Sequence, residues 1–204
     1  MHAVGIKPIE PFIRAGHFPV IGDPPFVLGW DVSGVVDHAT PDTWRFRPGD
    51  EVFGMPFFPR AANGYAELVA APARQLARKP ASLDHVHAAA LPLVGLTAWQ
   101  GLVDTVLGDY GERSLRVLRP GGVLVSAVDR TNLELAAAAE AAGVRFAGVA
   151  VDPDHAALER LAELVDEGHL RVHVERTFRL ERVADAHRLS ETNRVTGKIV
   201  LTVA

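Results

Sequence analysis

The chain has 204 residues, 48% of them hydrophobic and 23% charged, which is enough for one large or two small folded domains and is not the make-up of a disordered tail. Net charge is -4 and the basic residues are scattered, which excludes a basic nucleic-acid surface and a polybasic membrane anchor and leaves a small molecule as the expected partner. Cysteine is absent, excluding disulfides and Cys-ligated metals, and no His sits at a recognised metal spacing, so no metal is expected.

The first residues, MHAVGIKPIEP, show neither a charged n-region nor an apolar h-region. No apolar run reaches the roughly 18 residues of a membrane span. Both observations make the cytoplasm the expected compartment. From Phe26 to Pro80, short β-rich runs (VLGWDVSGVV, DEVFGMPFF, GYAELVAAP) are separated by Pro-Gly-Asp and Asn-Gly turn signals, predicting a small barrel or open β domain. Around Asp84 the period changes, and Pro92 divides an Ala- and Leu-rich stretch into two short helices.

Farther on, the pattern is βαβα. Gly122 to Val128 reads as a strand, and Thr131 with Glu134 as the capping box of an Ala-rich helix that stops at Gly143. Val144 to Val151 reads as a second buried strand. Asp152 reads as the N-cap of a helix that starts at Pro153 and carries Leu158, Leu161, Leu164 and Val165 on one face. A strand near Val172 to Phe178, a helix near Leu180 to Ser190 and a strand Lys198 to Val203 complete the chain.

Seven blocks stand in order: GIKPIEPFIRAG, LGWDVSGVV, RPGDEVFG, NGYAELVAAP, AALPLVGLTAWQ, LRPGGVLVS and TGKIVL. In this order they resemble the zinc-free quinone oxidoreductase (zeta-crystallin-like) branch of the medium-chain dehydrogenase/reductase family. The resemblance implies an α/β fold with a β-rich part: a truncated GroES-like β domain plus a partial Rossmann domain holding the last two βα units. The implied boundaries are a catalytic-domain remnant over 1–98, a partial nucleotide-binding domain over 99–170 and a C-terminal return to the catalytic domain over 171–204. In the family the first βα turn places a Gly-rich loop against the dinucleotide pyrophosphate. Here neither G-x-G-x-x-G nor G-x-x-x-x-G-K-[ST] occurs, and the segment between TAWQGLVD and LRPGGVLVS is too short to hold that half.

The family's activity is hydride transfer from NADPH to quinones or activated enones, with the protein orienting the partners and polarising a carbonyl. The resemblance puts Lys7 and Phe12 at the reacting end, where the family usually has Asn and often Tyr. Lys7 retains a donor for a carbonyl oxygen and Phe12 has none. Thr97, Ser126 and Lys198 match positions lining the nicotinamide end, while Tyr65 and Trp99 read as packing aromatics. The implied cofactor is NADPH, held weakly or lost. The strand Val144 to Val151, apolar and without Pro, predicts a homodimer by edge pairing. Three readings stay open: an NADPH-dependent reductase impaired in dinucleotide binding, a cofactor-independent small-molecule binder or cyclase-like protein, and a non-catalytic product of internal gene deletion.

Overall fold

A computed structural model describes residues 1–17, 21–41, 43–100, 110–126 and 131–203. In chain order the elements are β1 (Ala3–Ile6), α1 (Ile9–Arg14), β2 (Asp31–Val35), β3 (Glu51–Gly54), β4 (Leu76–Arg78), α2 (His85–Ala89), α3 (Pro92–Gln100), α4 (Tyr110–Leu115), β5 (Val123–Ser126), α5 (Leu133–Ala141), β6 (Arg145–Gly148), α6 (His155–Asp166), β7 (Val174–Arg179), α7 (Val183–Glu191) and β8 (Lys198–Thr202). This is the expected α/β architecture with a β-rich part. Contacts divide it into a larger unit, Met1–Gly95 with Pro153–Ala204, and a smaller one, Leu96–Asp152.

The larger unit is built on a six-stranded sheet in the order β4-β3-β2-β1-β8-β7. Its pairs are antiparallel except β7 with β8, which run parallel and are therefore joined by a crossover through α7. Strand β1 is buried on both faces. Val4 and Ile6 pack with Ile199, Leu201 and Ala186 of α7, whereas Ala3 packs with Val200 and with Ala89 and Ala90 at the end of α2. The two-residue alternation of a strand separates these sets. Gly5 faces α2 so closely that a Cβ there would stand 2.4 Å from the Ala89 carbonyl oxygen, so only glycine lets the helix approach. The Asp84 side chain caps α2 by accepting the His87 N–H at 2.8 Å.

Helix α6 belongs to this larger unit, which differs from the expected boundary at residue 170. Its buried residues Ala157, Leu158, Leu161, Ala162 and Val165 repeat at helical spacing and the helix packs on β4. Its N-cap is Asp154, not the expected Asp152, with carboxylate oxygens accepting from Ala156 N–H and Ala157 N–H.

The smaller unit pairs β5 and β6 in parallel, Leu124 opposite Phe146. Its core is Leu124, Leu135, Ala139 and Val144. Helix α5 is capped by Asn132, which accepts the Leu135 N–H at 2.9 Å, in place of the expected Thr131 and Glu134 box. The second strand is shorter than Val144 to Val151 and is not a buried one: Arg145, Ala147 and Gly148 are exposed, because the described sheet holds two strands and β6 lies at its edge. The C-terminal end of the expected strand Gly122 to Val128 lies outside the described residues. Trp99, expected as packing, is 51% exposed on α3.

Candidate functional site

The sheet register gathers three charges. Gly5 of β1 lies opposite Asp31, the first residue of β2, and Ile6 lies opposite Ile199, the second residue of β8. Lys7, one residue past β1, and Lys198, at the start of β8, therefore both reach the Asp31 carboxylate. Lys7 Nζ stands 3.1 Å from Asp31 Oδ1, and Lys198 Nζ stands 3.5 Å from Oδ2. Lys7 and Asp31 have no exposed side-chain surface and Lys198 retains 12%. The amide of Leu93, in the first turn of α3, donates to Asp31 Oδ1 at 3.1 Å. Lys7 Nζ also lies 5.3 Å from the ring centroid of Trp30, which is held by its indole N–H donating to the Arg60 carbonyl at 2.6 Å.

Two buried ammonium groups share one carboxylate, and the lysine contacts are close without being aligned as hydrogen bonds. Among the described residues, Lys7 Nζ, Lys198 Nζ and Asp31 Oδ2 have no hydrogen-bond partner. Buried polar atoms in that state are uncommon, and the two ammonium groups, which can only donate, are able to serve an oxygen acceptor. Burial pushes the Lys7 ammonium below the usual lysine range, opposed by the negative charges of Asp31 and Glu10.

Beside this cluster Glu10 is fully buried on the first turn of α1. It exchanges hydrogen bonds with Lys7: the Lys7 N–H donates to Glu10 Oε2 at 2.9 Å, and the Glu10 N–H to the Lys7 carbonyl at 3.1 Å. Burial raises its pKa above the usual carboxyl value, with the Lys7 charge acting against it. Tyr65 donates its O–H to Glu10 Oε2 at 2.7 Å and meets His187 Nε2 at 3.1 Å. His187 has a pKa near 4, lowered by burial first and by the Arg14 charge second.

Of the sequence-derived candidates, Lys7 and Lys198 come together on Asp31. Phe12 does not join them by any contact described; it is 45% exposed on α1, its ring 6.4 Å from that of His17. Thr97 is half-buried on α3 and Ser126 is fully buried at the end of β5, both in the smaller unit. Asp31, Glu10 and His187 were not singled out by sequence. The available signal was an acid inside an apolar run, LGWDVSGVV, which needs a buried partner. Ser33, His85 and Glu51 form a further polar line, Ser33 Oγ 2.8 Å from His85 Nδ1 and His85 Nε2 3.2 Å from Glu51. Ser33 has no exposed surface, so it is a packed strand residue and not a nucleophile.

Known proteins are similar to this chain in sequence and in fold. Residues 88–201 match the family model "Zinc-binding dehydrogenase", and residues 1–81 match "Alcohol dehydrogenase GroES-like domain". The "NAD(P)H oxidoreductase RTN4IP1, mitochondrial" of Danio rerio is 33% identical over 137 residues, covering 60% of this chain and 35% of that protein. The human quinone oxidoreductase is 31% identical over 127 residues, covering 62% of this chain and 38% of that one. The chain thus spans 35% and 38% of the length of these curated relatives. Among solved structures, the quinone oxidoreductase from Coxiella burnetii superposes with a TM-score of 0.92 at 25% identity, covering 100% of this chain and 89% of that one. An alcohol dehydrogenase superfamily protein from Novosphingobium aromaticivorans gives 0.88 at 24% identity, over 100% and 90% of the two chains, and so shares the fold. The chain belongs to the medium-chain dehydrogenase/reductase family, in its quinone-oxidoreductase-like branch.

Proposed function

We propose that this protein is an NAD(P)H-dependent oxidoreductase for a small quinone or activated enone, impaired in its grip on the dinucleotide. The observation that carries the reading is the pair of buried ammonium groups on Asp31, with Lys7 Nζ and Lys198 Nζ lacking hydrogen-bond partners among the described residues. When bound, a reduced nicotinamide supplies the hydride. Lys198, the less buried of the two, offers its N–H to the acceptor's carbonyl oxygen and stabilises the negative charge that grows there. Lys7 keeps the site positive, and Asp31 holds both ammonium groups near one point. A carbonyl oxygen is the chemistry this donor set fits.

The pyrophosphate end fits poorly. No Gly-rich loop occurs in the sequence, and the described part of the smaller unit holds one pair of parallel strands. Each charge-assisted hydrogen bond lost from the phosphates costs about 1.5–3 kcal/mol, so losing a few weakens binding by several powers of ten. NADPH is therefore expected to bind in the millimolar range. The test is a fluorescence titration of NADPH, followed by NADPH oxidation with a para-quinone by the chain and its Lys7→Ala and Lys198→Met variants. Turnover that falls in both variants supports the reading. A dissociation constant below about ten micromolar refutes the impaired grip, and no turnover at saturating NADPH refutes the activity.

A second reading, a cofactor-independent small-molecule binder, is favoured by a cavity of about 310 Å³ in the larger unit, walled by Phe26, Val27, Leu28 and Val183 with Tyr65 and His187. The same titration without turnover favours it. We also propose a homodimer through the strand that the sequence gives as Val144 to Val151. Supporting it, Arg145 N–H and Val149 N–H point to β5, so the alternate amides of β6 face away from its described partner.

A further inference from the structure

Three hydrogen bonds run in series from the surface to the segment that carries Lys7. Arg14 can only donate, so its Nη1 donates to His187 Nδ1 at 3.1 Å. The ring hydrogen of His187 then sits on Nε2 and is donated to the Tyr65 oxygen, which frees the Tyr65 O–H for Glu10 Oε2. Arg14 is anchored in turn by Glu191. At the inner end, Glu10 has no exposed surface and its Oε1 has no hydrogen-bond partner among the described residues. A carboxylate so placed depends for its charge on the few donors that reach it.

We propose that Tyr65, fixed by His187, is a positioning residue for Lys7: its hydroxyl orients Glu10 and favours its ionised form, and Glu10 in turn fixes the Lys7 backbone and supports the charge of the Lys7 ammonium. The inference rests on the assignment of Lys7 to the reacting site. Lys7 faces Asp31, Glu10 and Lys198; Glu10 faces Lys7 and Asp31; Tyr65 faces Glu10, Asp31 and Arg14; and His187 faces Arg14 and Glu191. The sign follows. Without the Tyr65 donor, burial drives Glu10 toward its neutral form, Lys7 loses a nearby negative charge, and the ammonium gives up its proton at lower pH.

The chain has three lysines, Lys7, Lys79 and Lys198, so lysine labelled with carbon-13 at Cε gives three signals whose midpoints can be followed by pH titration. The Lys7 signal is identified by its loss in Lys7→Met. Tyr65→Phe is expected to lower the Lys7 midpoint by about one pH unit and leave Lys79 unmoved. Glu10→Gln should lower it likewise, and the double variant should go no lower than Glu10→Gln alone. His187→Ala, which frees Tyr65 without touching Glu10, should produce a smaller fall in the same direction. An unchanged midpoint in both Tyr65→Phe and His187→Ala overturns the proposal, as does a Tyr65→Phe fall that adds in full to that of Glu10→Gln. A full reductase rate in Lys7→Ala with a shifted midpoint in Tyr65→Phe overturns the assignment of Lys7 to the reaction and supports the coupling.

Discussion

Replacing Asp31 by Asn should destabilise the fold far more than replacing Lys7 by Met, because the cluster holds two cations and one strongly engaged anion. Asp31 lies 3.1 Å from Lys7 Nζ and 3.5 Å from Lys198 Nζ, with exposures of 0% and 12% for the two lysines. Neutralising Asp31 leaves both ammonium groups buried without their partner. Breaking a buried pair in this way costs about 3–5 kcal/mol, a large share of the roughly 5–15 kcal/mol that stabilises a folded domain. Lys7→Met removes a desolvated charge and leaves Asp31 with Lys198 and the Leu93 N–H, so its cost should lie within about 1 kcal/mol of zero. Urea unfolding followed by circular dichroism separates the two outcomes. With a slope of about 2 kcal/mol/M, Asp31→Asn should move the midpoint down by about 1.5–2.5 M and Lys7→Met by less than about 0.5 M. The double variant should be more stable than Asp31→Asn alone. Equal losses in the two single variants, or a stable Asp31→Asn chain, would refute the shared-carboxylate account.

Acidification tests His187. Its pKa is near 4 in the fold against an ordinary 6.5, so between those values the unfolded chain takes up a proton that the folded chain refuses. Stability should fall with falling pH through this window, by at most roughly 2–3 kcal/mol. Glu10 acts oppositely, since its raised pKa lets the fold gain as pH falls toward 4.5. The difference between wild type and His187→Gln in urea unfolding at each pH isolates the histidine, and identical pH slopes would count against its buried neutral state. Asp154→Ala removes the acceptor for two amides at the start of α6; it should cost about 1 kcal/mol and lower Tm by about 2–4 °C in a thermal melt. Gly148→Pro deletes an amide that faces away from β5. Sedimentation should show a dimer giving way to monomer or aggregate, and a wild-type chain that runs as a monomer at micromolar concentration ends the dimer proposal.

Local chemistry in the sequence determined the element types: turn residues bound the short strands, Pro92 parts α2 from α3, and Leu158, Leu161 and Val165 mark the buried face of α6. It also pointed to Lys7 and Lys198, through blocks that resemble a known family. It did not determine which of several adjacent polar residues caps a helix, because Asp152 and Asp154, or Thr131 and Asn132, all carry an oxygen able to cap, and the residue that does so is the one whose extended backbone stands immediately before the first helical turn, Asp154 and Asn132. Nor did it assign α6 to its unit, since an apolar face of that spacing packs equally well on any complementary sheet, and here β4 supplies it. The site itself was a tertiary decision. Lys7, Asp31 and Lys198 are separated by 24 and 167 residues, and they meet only because β1 pairs with β2 on one side and β8 on the other, in a register that sets all three at the same end of the sheet. Tyr65 and His187 reach Glu10 for the same reason: burial leaves a charged side chain no solvent, so the fold must bring its partners from distant segments.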